Sequence, residues 1–136
     1  MNLKIVDIHN RGDHNQECVE LYVLSDCNLS DYAIYDTTFS ADNYVSNKSP
    51  HFFRFPDYDA KAGQTIRLHT GKEYFNTGIS LRKLLNLPNA DFYWNLDHAI
   101  WNNTGDTGYL IQIADTQSYR VGYNQISRLL DSLLQR

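Results

Sequence analysis

Apolar and polar residues alternate with a period of two along most of this 136-residue chain. Successive side chains of an extended strand point to opposite faces, so such alternation describes strands with one buried face. Glu17–Ser25 (ECVELYVLS) shows it most clearly, with Val19, Leu21 and Val23 on one face and Cys18, Glu20 and Tyr22 on the other. Leu3–His9, Leu29–Asp36, His51–Phe55 and Gln64–Thr70 follow the same rule, and Asn10-Arg11-Gly12-Asp13 and Ala62-Gly63 supply turns between them. Ile100–Asn103, Thr107–Ala114 and Ser118–Tyr123 read as the last strands, whereas Thr37–Pro50 is polar, aperiodic and expected to be a long loop. Seven or eight short strands at this spacing predict an all-β fold, a two-sheet antiparallel sandwich.

Two stretches change period. In ISLRKLLNLP, Leu81, Leu84 and Leu85 precede Pro88, which predicts one or two helical turns. In the tail, Ile126, Leu129, Leu130, Leu133 and Leu134 recur every three or four residues and form one apolar stripe on a helix over 124–136. Thirteen residues are marginal for an isolated helix in water. The stripe therefore either covers the domain's own sheets or is a partner surface, pairing with a second chain in a homodimer or docking on another protein. The expected organisation is one β domain over 1–123 with a helical appendix over 124–136.

Charge narrows the function classes. Twelve basic against sixteen acidic residues give −4 at pH 7, which lacks the dense positive field that binds a phosphate backbone and argues against nucleic acid. No run approaches 18 apolar residues, so no membrane span is expected. The opening MNLKIVDIHNRGD has no apolar core of the signal-peptide kind, which makes the cytoplasm the default location.

Chemistry-bearing residues are scattered. Cys18 and Cys27 match no zinc spacing, and either a disulfide or two free thiols is open to them. His9, His14, His51, His69 and His98 are isolated, with no H-x-H or H-x-x-x-H pair, so neither metal nor cofactor is expected unless separate strands bring histidines together. Asp57-Tyr58-Asp59 reads as a solvated turn before a calcium loop. Arg11-Gly12-Asp13 spells an adhesion tripeptide that a strand-to-strand turn explains more simply, and Asn28, Asn47 and Asn102 begin N-x-S/T triplets. No Gly-x-Ser-x-Gly or P-loop occurs, and Cys18 has no basic sequence neighbour to activate it, so no catalytic residues are assigned. FPDYD and Asp91–His98 (DFYWNLDH) set aromatic rings beside Asn and Asp, the mixture used by sugar-binding platforms.

The segments ECVELYVLSDCNLSDYAIYD, IRLHTGKEYFNTG (Ile66–Gly78) and AIWNNTGDTGYLIQIAD (Ala99–Asp115), in this order, resemble the lamin-tail domain in its bacterial branch. The resemblance covers roughly residues 2 to 123. It implies an immunoglobulin-like antiparallel β-sandwich used as an interaction module, found in the tails of nuclear lamins and, in bacteria, alone or beside secreted hydrolases and nucleases. The family has no agreed catalytic residues, so none is carried over. Its motif falls here on His69, Thr70, Gly71, Trp101, Asn102, Asn103, Gly105 and Asp106, and is expected to serve shape: Gly105 for a positive φ, Asn and Asp for bonds to turn N–H groups, Trp101 as a buried anchor. The chain departs from the pattern in the insertion carrying ISLRKLLNLP, in Asp115-Thr116-Gln117-Ser118 where an Asp-Gly turn is usual, and in its C-terminal helix. The function expected is non-catalytic binding of a protein partner or of a second copy. A carbohydrate-binding β-sandwich is the alternative, and a small metal-dependent hydrolase stands third.

Overall fold

The computed structural model describes residues 1–39, 45–46, 51–73, 89–102, 105–121 and 133–134. The strands are β1 (Leu3–His9), β2 (Cys18–Val23), β3 (Cys27–Asn28), β4 (Tyr32–Phe39), β5 (Val45–Ser46), β6 (Phe52–Arg54), β7 (Asp59–Ala60), β8 (Thr65–His69), β9 (Asn89–Tyr93) and β10 (Thr107–Gln112), with a 3₁₀ turn at Leu29–Asp31. One sheet runs β1-β2-β8-β9, a second runs β10-β4-β5 with β6 also paired to β4, and β3 with β7 form a short ladder. The fold is all-β, as the alternation predicts.

Register explains the core. Val19 lies opposite Leu68 and Leu21 opposite Ile66, so the apolar sets of β2 and β8 share one face of the first sheet. Tyr32 and Ile34 supply the corresponding face of β4, and all of these side chains are buried in one cluster with Leu29, Phe55 and Trp101. Burying each such side chain contributes about 1.5–3 kcal/mol. On β1 the register shifts between Ile5 and Asp7, a bulge that keeps Ile8 opposite Val19 on the inner side.

Several segments differ from the reading of the sequence. Thr37–Phe39 is not loop but the end of β4, and β5, within the same expected loop, pairs back onto it. Asn89–Tyr93 is a strand, and it lies parallel to β8 in an otherwise antiparallel sheet. A parallel neighbour needs a crossover of a dozen or more residues, and the stretch from Thr70 to Pro88 is long enough to provide it. Ile100–Asn102 is not a strand: the N–H groups of Ile100 and Asn102 are met by side chains and not by a ladder. Ser118–Val121 is not a strand either, and Tyr119 and Val121 are exposed. Alternation makes a two-faced segment, but only a neighbour that accepts its N–H groups makes it a strand. The expected helical turns over 79–88 lie outside the described residues. So does the tail helix apart from Leu133 and Leu134, which are helical and exposed. Ile126, Leu129 and Leu130 lie outside as well.

Candidate functional site

The motif residues converge on a side chain that the sequence reading passed over. Glu17 is fully buried. Its Oε2 accepts the Gly12 N–H at 3.1 Å and its Oε1 the Ile100 N–H at 2.8 Å, while its backbone carbonyl accepts the Thr70 N–H at 3.3 Å. One residue thus ties together three segments: its carboxylate holds the Arg-Gly-Asp turn and the approach to Trp-Asn-Asn, and its backbone carbonyl holds the His-Thr-Gly segment. Glu17 has the same parity as Val19, Leu21 and Val23, so an acidic residue at an inward position was the signal available for it.

Around this hub the motif acts as scaffold. Thr70 is buried and its carbonyl accepts the Leu96 N–H at 2.9 Å. At Gly71 a Cβ would stand 2.6 Å from the His14 carbonyl oxygen, so only glycine lets the two backbones approach. Trp101 is in the core, Gly105 has a φ of +112°, and Asp106 accepts the Asn102 N–H at 3.1 Å. Asn103 lies outside the described residues. Arg11-Gly12-Asp13 sits in the β1–β2 connection, where Asp13 donates its N–H to the Asn10 carbonyl. Asp57 and Asp59 both accept from the Asn28 side-chain amide, at 2.6 and 3.0 Å, and join β7 to the residue that caps the 3₁₀ turn.

His69 faces the other side of its sheet yet is buried. It pairs with Asp91 at 2.9 Å, Tyr93 stacks on its ring, and Cys18 lies opposite in register. A cysteine, a histidine and an aspartate on neighbouring strands have the composition of a nucleophilic triad, but Cys18, His69 and Asp91 are all withdrawn from solvent. Neither cysteine is in a disulfide.

A titratable cluster that runs from buried Asp36 to exposed His98 and Asp97 lies at the rim of the core. Asp36 continues the inward parity of Tyr32 and Ile34, and its Oδ1 accepts the His51 N–H at 2.6 Å, where β4 and β6 extend toward one another. Its Oδ2 also holds the His51 Nδ1 at 3.1 Å. His51 Nε2 stands 3.3 Å from His98 Nε2, and His98 Nδ1 bonds Asp97 at 2.9 Å. The hydrogen bond from the His98 imidazole, with help from the Asp97 backbone N–H, holds the Asp97 carboxyl below its ordinary range. Trp94 packs edge-on to His51, and Phe53 and Trp101 back Trp94. Phe92 and Trp94, read from sequence as a sugar platform, are packed against the core cluster. Among the described residues no three His, Cys, Asp or Glu side chains gather as a metal-holding group, and no helix is long and apolar enough to cross a membrane.

In comparisons with known proteins, no family model and no curated sequence matches the chain.

Proposed function

We propose that this chain is a non-catalytic interaction module of the lamin-tail kind, an immunoglobulin-like sandwich with a C-terminal amphipathic helix, that binds another protein or a second copy of itself. One observation carries the reading: each described residue of the His-Thr-Gly and Trp-Asn-Asn elements is spent on packing, turn geometry or hydrogen bonds of the scaffold. Recognition is then left to the exterior. Among the described residues β1 pairs only with β2 and β10 only with β4, so each offers an edge to which a further strand can add. Val6, Tyr22, Tyr109, Leu133 and Leu134 expose apolar surface, and Tyr109 stacks on Tyr35 on one sheet.

The test is the mass in solution of the full chain and of a chain ending at Tyr123. A dimer that becomes monomeric on truncation supports association through the tail. A monomer in both cases removes self-association and leaves binding of another protein. A turnover that disappears in Asp106→Ala while the fold is kept would overturn the non-catalytic reading.

A further inference from the structure

We infer that His51 and His98 form a site for a divalent transition-metal ion of the Zn²⁺ and Cu²⁺ class, held between their Nε2 atoms. The two rings come from separate segments, one entering β6 and one following β9, and are brought within 3.3 Å at Nε2. Each ring is oriented from behind by a carboxylate on Nδ1, Asp36 at 3.1 Å and Asp97 at 2.9 Å. An ionised carboxylate only accepts hydrogen bonds, so both bonds assign the ring proton to Nδ1. Neutral rings of that tautomer each carry a lone pair on Nε2, and here the lone pairs face one another. That contact is repulsive until a cation stands between them.

A proton and a metal ion both satisfy this demand, and the spacing favours the metal. Two nitrogens bound at about 2.0–2.1 Å to a tetrahedral ion stand about 3.3 Å apart. A proton shared between imidazolium and imidazole is a charge-assisted bond and draws its heavy atoms to less than about 3 Å. Carboxylate–imidazole–metal is also the recurring outer-shell arrangement of histidine sites, because the carboxylate fixes the tautomer and raises ligand basicity. Imidazole nitrogen suits zinc, copper and nickel and gives little to calcium or magnesium. The aromatic side of the site is closed by Trp94, edge-on to His51 with ring centres 6.3 Å apart. The His98 side chain is 57% exposed, so the remaining coordination positions open to water.

The test is titration of chelator-stripped full-length protein with ZnCl₂ by calorimetry, with the imidazole nitrogens followed by long-range ¹H–¹⁵N NMR. The expected result is one Zn²⁺ per chain, with the His51 and His98 Nε2 resonances shifted together. His98→Ala, at a side chain more than half exposed, should keep the fold and lose at least tenfold in affinity. Asp97→Ala should lose about tenfold through the outer shell. His9→Ala, whose ring lies against Glu20 on the first sheet, should bind as the wild type does. Equal zinc binding by wild type and His98→Ala would overturn the site. So would a wild type that binds no zinc and shows one proton shared between the two Nε2 atoms.

Discussion

Glu17 is fully buried and accepts the backbone N–H of Ile100, 83 residues further along the chain, at 2.8 Å. The backbone N–H just before Trp101 is satisfied by this side chain and not by a sheet neighbour. The same carboxylate also serves Gly12. A short aspartate in its place would not reach both donors, and an apolar residue would leave the buried Ile100 N–H without a partner and remove the bond to Gly12. Removing an acceptor from a buried N–H costs about 1–3 kcal/mol. Glu17→Ala should therefore lower unfolding stability by about 3 kcal/mol in urea titration. Glu17→Gln, which keeps the Ile100 bond but turns a donor toward Gly12, should lose less. A Glu17→Ala variant within about 0.5 kcal/mol of wild type would be inconsistent with the hub.

Gly71 makes an independent prediction. Its missing Cβ leaves room for the His14 carbonyl, which a methyl group would meet at 2.6 Å. The obstacle is backbone and cannot rotate away. Gly71→Ala should cost about 1–3 kcal/mol, the range for an overpacked site, and show as a lower denaturation midpoint with an unchanged slope.

The His69–Asp91 pair holds β8 to β9 on the outer side of the first sheet, with side chains only 3% and 4% exposed. Breaking a buried pair by removing one partner is costly because the other group stays buried. Asp91→Ala should destabilise by about 3 kcal/mol, and Asp91→Asn, which preserves a hydrogen-bonding oxygen, by less. Equal losses in the two variants would count against a role for the carboxylate beyond its shape.

Cys27 should react slowly. Burial first, then the charges of Asp31 and Asp26, raise its thiol above the ordinary value of 9.0. The thiolate is the nucleophile, so a raised pKa means a smaller reactive fraction at any given pH below it. At pH 8, alkylation of Cys27 by iodoacetamide should be slower than that of glutathione. Asp31→Asn removes a negative neighbour, lowers the pKa and should quicken the reaction, as peptide mass spectrometry can measure. Equal rates in wild type and variant would show that access alone governs this thiol.

The core was legible and the sites were not, for reasons visible in particular residues. Val19, Leu21, Val23, Ile66 and Leu68 could be sorted from their alternation, since burial of one face is written locally at every second residue. Glu17 belongs to the same inward series, so its burial could have been read from parity; its partners could not, because they are backbone groups of distant turns. His51 and His98 have no motif spacing, being 47 residues apart. They meet because Asp36 extends the β4–β6 pairing at one rim and because the segment after β9 is tied to β8 by the Trp94 N–H to the His69 carbonyl.

Period-two patterning, turn glycines and a buried tryptophan were enough to establish a β-rich chain, the inward faces of β2, β4 and β8, and the turns at Gly12 and Gly105. All of these follow from interactions between near neighbours. Pairing was a different matter. The parallel placement of β9, the return of β5 onto β4, the failure of Ser118–Val121 to join a ladder and the meeting of two imidazoles depend on which distant backbone supplies each hydrogen-bond partner. That choice is made by the whole packed molecule, because a strand's alternation names the face it buries and leaves its neighbour open.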